Sequence, residues 1–201
     1  MSKTLLILLL IYGVSSEFAM SRMDEENHPE IDIFVEDESA RVLLEEIIAY
    51  ADLSLLPRVQ IVPYGAASVG KALGIMVSED RFPRATMVFL DGDQDESSGC
   101  LVLPGDDAPE RVIYQELIAL GFPGVADNLA RSHSDLVDNC RLAATTSDHH
   151  SWNQSVADRI VCSKNDLWRA LCRSWVVHVY KPDHNNFIVE SIREEIQLYS
   201  V

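Results

Sequence analysis

The sequence predicts an α/β protein: a parallel-type sheet flanked by helices, followed by an α-helical C-terminal extension. Three observations carry this. The stretches "IDIFVED", "RVQIVPYG" and "ATMVFLD" are short, apolar and rich in β-branched residues; the segments between them have helical periodicity; and from Pro104 onwards helical patterns take over. Strands that are apolar nearly throughout keep no polar solvent face. The sheet is therefore expected to be covered on both sides and at least partly parallel.

Taken in order, residues 1–30 are expected to be an apolar leader and a linker. Lys3, the run "TLLILLLIYGV" and the small residues of "SSEF" have the layout of a short secretory signal, and the alternative is a core element or the tail of a preceding domain. The run is too short for a convincing membrane span. "MSRMDEENHPE" is polar and reads as the linker. Residues 31–120 form the expected core. Its first strand runs into a helix capped by Ser39, with Leu43, Leu44, Ile47 and Ile48 at helical spacing. The second strand closes on Gly65, and "AASVGKALGIMV" is expected to be a helix with Ala, Val and Leu inward. After the third strand, Pro109 and Glu110 suit a helix first turn, where the missing N–H costs nothing and the acid meets the positive end of the dipole. Residues 121–201 form the expected helical extension, including "NDLWRALCRSWVVHV" and the amphipathic "NNFIVESIREEIQLY".

The chain is strongly acidic, with 32 acidic and 16 basic residues for a net charge of -16, which opposes a simple picture of a basic protein lying on phosphate. The charge is uneven. Asp24 to Glu110 carries 20 acids against 5 bases, whereas Arg131 to Lys181 carries 7 bases against 5 acids. A cation belongs with the first part and an anionic ligand with the second. Cys100, Cys140, Cys162 and Cys172 include no CxxC pair, so neither a zinc site nor a disulfide framework is signalled. Reduced, mostly buried thiols and a cytoplasmic protein are expected.

The chemistry lies in "FLDGDQD". On an extended chain Asp91 and Asp93 point to the same side, at the carboxyl end of a buried strand, the edge where open α/β sheets place ligands. "FVEDES" delivers Glu36, Asp37 and Glu38 to the same edge if the strands are parallel. Convergent carboxylates repel unless a cation neutralises them, and a hard divalent ion such as Mg2+ is the simplest neutraliser. The plainer readings are a solvated strand end for the DxD and a dipole-favoured helix start for "VEDES".

Together, "IFVEDESARVLLEEI", the second strand ending at Gly65 and the hhhDxD of "MVFLDGDQ" resemble the TOPRIM domain of topoisomerases, primases and OLD-type nucleases. "LPGDDAPERVIYQEL" is closer in layout to the OLD-like, ATPase-linked nucleases (overcoming lysogenization defect). The likeness covers residues 31–120. It implies a Rossmannoid fold and Mg2+- or Mn2+-dependent cleavage of DNA phosphodiesters, with Glu36, Asp91 and Asp93 as metal ligands or acid/base groups. Glu110 is the candidate for a second ligand set, with Asp95 in reserve. Lys181 is the preferred charge-steadying lysine and Lys164 the other. The resemblance further implies an ATPase domain or subunit, a homo-oligomer and a role in defence against phage. Two departures stand out: Asp37 occupies a position where the family commonly has Gly, and the Gly closing the DxD motif comes only at Gly99.

Competing expectations are a DxD nucleotide-sugar glycosyltransferase, a haloacid-dehalogenase-type phosphatase with the first Asp as nucleophile, and a non-catalytic TOPRIM-like module in an ATPase assembly. "YGAASVGKALG" is no Walker A loop, because neither Ser nor Thr follows Lys71. His149 and His150 read as a polar loop rather than a metal site, since adjacent histidines point apart in regular elements. Trp152, Trp168 and Trp175 could stack bases, but at helical spacing Trp168, Leu171 and Trp175 read as core anchors.

Overall fold

The computed structural model describes residues 28–183 and 185–199 together with Met20, so the expected leader and most of the linker lie outside the described residues. Its centre is an all-parallel sheet of β1 (Ile31–Val35), β2 (Val59–Pro63), β3 (Thr86–Leu90) and β4 (Leu101–Val102), in the order β2-β1-β3-β4. Ile33 lies opposite Ile61 on one side and Met87 on the other. β1, β2 and β3 are the strands that the apolar runs predict. β4 carries no periodic signal, because only Leu101 and Val102 pair, with Phe89 and Leu90.

Burial follows position in the sheet. Every residue of central β3 is buried, whereas edge strand β2 has no fully buried residue, so the expected two-sided cover holds for β3 and not for β2. The chain steps from β1 to β2 through α1 (Glu38–Ala51) and back over β1 to β3 through α2 (Ala67–Ser78). Right-handed crossovers in opposite directions place these helices on opposite faces. On the α1 face, Ile31, Ile33, Val35, Met87 and Phe89 meet Leu43, Leu44, Ile47 and Ile48 in one core. Each of those four helix side chains is at most 1% exposed and contributes about 1.5–3 kcal/mol on burial.

The packing of α2 corrects the sequence expectation. Its buried residues are Gly70 and Gly74, while Val69, Ile75 and Met76 face solvent. A Cβ at Gly70 would stand 2.4 Å from the Tyr64 ring and 2.8 Å from Leu90, and one at Gly74 would stand 2.2 Å from Cys100 Sγ. Close approach to the sheet therefore replaces side-chain interdigitation. It also disposes of Gly70 and Lys71 as a phosphate loop, since both lie within the helix.

Helices α3 (Pro109–Leu120), α4 (Val125–Leu129), α5 (His133–Ala143), α6 (Trp152–Ile160) and α7 (Lys164–Trp175) follow, then a π-helical turn, Val176–Tyr180, and α8 (Phe187–Tyr199). α7 runs alongside α1 in the same direction. Trp168 Nε1 donates to Ser39 O (3.0 Å) at the start of α1, Arg169 and Arg173 reach Glu46 further along, and Val176 and Val177 line a cavity with Ala49 and Tyr50 at its end. α8 returns to the sheet against β1 and β3, and Arg193 closes on Asp52 at 2.5 Å. Trp168, Leu171 and Trp175 are buried, as expected, and Trp152 is buried as well. The four cysteines are free thiols, Cys140 and Cys172 buried and Cys100 and Cys162 half-buried. Among the described residues, no helix is long and apolar enough to cross a membrane.

Candidate functional site

The strand order creates the site. β1 connects toward β2 and β3 toward β4, so the chain diverges after these adjacent parallel strands and leaves a crevice at their carboxyl ends. Glu36 directly follows β1 and Asp91 directly follows β3.

Glu36 is half-buried and its carboxylate accepts the Ala67 N–H at the start of α2. Gly65 makes this possible. Its N–H donates to Glu36 O at 2.7 Å while its φ of +98° turns the chain into α2. The cap of α1 is Asp37, not Ser39: Asp37 Oδ1 accepts the Ala40 N–H at 2.9 Å. Asp37 thus has a local structural task. Ser39 lies in the first helical turn, and its hydroxyl donates to Glu110 Oε1 at 2.7 Å. Glu38 pairs with Arg41, which holds its carboxyl below the usual range. The helix-start reading therefore describes Asp37 and Glu38 but not Glu36, which precedes the helix.

Asp91 and Asp93 are not on an extended chain, as period-2 spacing implied. β3 ends at Leu90, and Gln94 N–H donates to Asp91 O at 3.0 Å, closing a turn. Gly92 lets this turn lie against the loop before α3: a Cβ there would stand 2.3 Å from Gly105 O and 2.8 Å from Asp107 O. That loop leads to Glu110 in the first turn of α3, only 5% exposed. Gly99, with φ +68°, is committed to packing against Gly74 instead.

The charges of these groups act on one another. Asp91 is pushed up to about 8, first by burial and then by Asp37, Glu36, Glu110 and Asp93. Its Oδ1 is buried and has no hydrogen-bond partner. Burial raises Glu36 as well, reinforced by Asp37 and Asp93, while the Ala67 N–H and His150 pull it down. Tyr64, whose hydroxyl donates to Phe89 O at 3.1 Å, is raised by burial and then by Glu36 and Asp91. An enclosed carboxylate oxygen without a donor, among further acids, suits a hard divalent cation. Among the described residues, no three His, Cys, Asp or Glu side chains already form a group set to hold a metal ion. These acids supply oxygen donors of the kind a hard divalent ion takes.

The remaining sequence candidates are dispersed. Asp95 is exposed on the loop between β3 and β4. Lys181 follows the π-helical turn, which packs at the far end of α1 from Glu36 and Asp37, about 15–20 Å along the helix axis. Lys164 is exposed in the first turn of α7, one turn from Trp168 and hence at the same end of α1 as the acids. The structure adds His149, His150 and Arg111. The two histidines open a 3-10 turn, His149–Ser151, with their ring centroids 4.0 Å apart and the rings tilted by 37° rather than pointing apart, and Arg111 Nε donates to His149 Nδ1 at 3.2 Å. The adjacent histidines and a basic residue following Glu110 were the available signals. Comparisons with protein-family models, curated proteins and solved structures return no match.

Proposed function

We propose that this protein is a Mg2+- or Mn2+-dependent DNA endonuclease of TOPRIM-like, OLD-like type. The observation that carries the reading is Asp91: a carboxylate at the topological switch point, one oxygen buried without a donor, raised to about 8 by burial and by four surrounding acids. Leaving it unneutralised costs folding stability, and a divalent cation removes that cost while keeping the acids together.

Glu36, Asp91 and Asp93 would hold one ion and Glu110 would contribute to a second, with Ser39 and the Ala67 N–H orienting Glu110 and Glu36. A bound ion supplies Lewis-acid stabilisation of the charge that develops on a scissile phosphate. Asp37 acts by capping α1 and fixing where Glu36 and Ser39 emerge. The net charge of -16 asks for more DNA grip than the acidic edge provides, and an ATPase domain or subunit, or a second copy in a homo-oligomer, would supply it. A second reading, a TOPRIM-like module that docks to an ATPase without cleaving, draws on the lack of a preset metal group among the described residues.

Calorimetry with Mg2+ and Mn2+ on wild type and Asp91→Asn, followed by plasmid nicking in the same buffers, tests both. Binding with nicking, each weakened at least about 100-fold in Asp91→Asn, is the expected result. Binding without nicking favours the docking module. No binding, with Asp91→Asn merely more stable, overturns the metal site.

A further inference from the structure

Resting on the nuclease reading, we propose that Arg111, His149 and His150 form an anion-binding wall facing the carboxylates, where a backbone phosphate of DNA is held. The three residues form a chain of contacts that begins one residue after Glu110 and ends at His150, near Glu36. Arg111 directly follows Glu110 in the first turn of α3, its Nε donates to His149 Nδ1 at 3.2 Å, and a terminal nitrogen reaches Ser147 O at 3.4 Å. The His149 ring centroid lies 4.0 Å from that of His150, and His150 lies near Glu36.

The hydrogen bond from Arg111 assigns the His149 tautomer. Nδ1 is an acceptor, so the ring proton sits on Nε2, and His149 presents an N–H donor on its outer side. His149 also packs edge-on to Trp152, with ring centroids 6.3 Å apart, which holds the turn in place. Asp107, 3.8 Å from Arg111, is the local counter-charge that an incoming phosphate would displace or share. The groups that raise Asp91 are all acids, so they repel a phosphate unless cationic or donating groups stand opposite. Arg111 and the two imidazoles are such groups, and a guanidinium with adjacent N–H donors matches phosphodiester oxygens. His150 and Arg111 are exposed and His149 half-buried, so a duplex backbone can reach them.

The test uses the full chain and a fluorescein-labelled duplex of about 20 base pairs, followed by anisotropy in Ca2+ across a salt series, with parallel Mn2+ calorimetry. Arg111→Gln and the double variant His149→Gln/His150→Gln are each expected to weaken duplex binding about tenfold, the equivalent of one charge-assisted hydrogen bond. Arg111→Gln is also expected to lower the salt slope by about one. Mn2+ affinity and the melting temperature stay as in wild type, and Arg111→Lys recovers the salt slope but only part of the affinity. Unchanged duplex affinity and salt slope in both variants, or no duplex binding by wild type, overturns the wall. Mn2+ binding lost in Asp91→Asn alongside either result leaves the metal reading standing. Histidine-dependent duplex binding without any Mn2+ binding removes the nuclease reading and keeps the wall.

Discussion

Glu46 and Glu110 are both 5% exposed, and the chain treats these two buried acids in opposite ways. Glu46, on the side of α1 that meets α7, accepts from Arg169 at 2.9 Å and from Arg173 at 2.9 and 3.3 Å, while Glu45 beside it takes Arg169 at 2.6 Å and also Arg41. Glu110, at the sheet edge, accepts from the Ser39 hydroxyl at 2.7 Å and is one of four acids, with Asp37, Glu36 and Asp93, whose charges act on Asp91. One cluster is neutralised by arginines from a neighbouring helix, and the other is a convergence of like charges. The first ties two helices together; the second gathers acids whose mutual repulsion and burial push Asp91 up to about 8, the feature on which the proposed metal site rests.

Four measurements break or sharpen that contrast. The largest stability effect is expected from Glu46→Ala, which strips the arginines of their buried partner and lowers the free energy of unfolding by about 3 kcal/mol in urea titration, the half-exposed arginines limiting the loss. A loss below 1 kcal/mol would erase the distinction between the clusters. Gly92→Ala forces a Cβ against Gly105 O and Asp107 O, and is expected to cost about 2 kcal/mol and to weaken Mn2+ binding together. Stability lost with Mn2+ affinity intact would show that the turn does not position the acids.

The third measurement is the pH dependence of stability in EDTA. Asp91 titrates at about 8 in the folded chain and near 3.9 when unfolded, so between those values the folded state binds the extra proton. Its favourable contribution is fully present below pH 4 and is lost as the pH rises through 8, at most about 1.4 kcal/mol per pH unit. Melting temperatures from pH 5 to 8.5 should fall more steeply for wild type than for Asp91→Asn, and Mn2+ should remove the difference. Parallel curves would mean that Asp91 is not held in an uncompensated environment. The smallest effect belongs to Glu38→Gln, an exposed partner of Arg41 on α1: about 0.5 kcal/mol, shrinking in salt, with no change in Mn2+ affinity.

Much of the scaffold was legible from local pattern. The runs that became β1, β2 and β3 are apolar enough to exclude a solvent-facing sheet, and the spacing of Leu43, Leu44, Ile47 and Ile48 specifies the inner face of α1 before any tertiary contact exists. The convergence of Glu36 with Asp91 was legible too, since parallel strands deliver their carboxyl ends to one edge. Less legible was the local geometry of the acids. Asp37 and Ser39 are both good caps by composition, and only the backbone path after Val35 decides between them. A DxD reads alike as strand or turn, and the turn is settled by the fit of Gly92 against Gly105 and Asp107.

Residue order along the chain thus determined β1 to β3 and the main helices, the parallel sheet and the delivery of acids to its carboxyl edge, because hydrophobic periodicity and strand direction act over neighbouring residues. Tertiary structure alone decided that α2 packs through Gly70 and Gly74, that α8 covers the sheet, that Lys181 falls at the far end of α1, and that Arg111 meets His149 across 38 positions of chain. Those outcomes depend on which surfaces fit one another once the sheet exists, and complementarity between elements distant in sequence leaves no periodic signal within either.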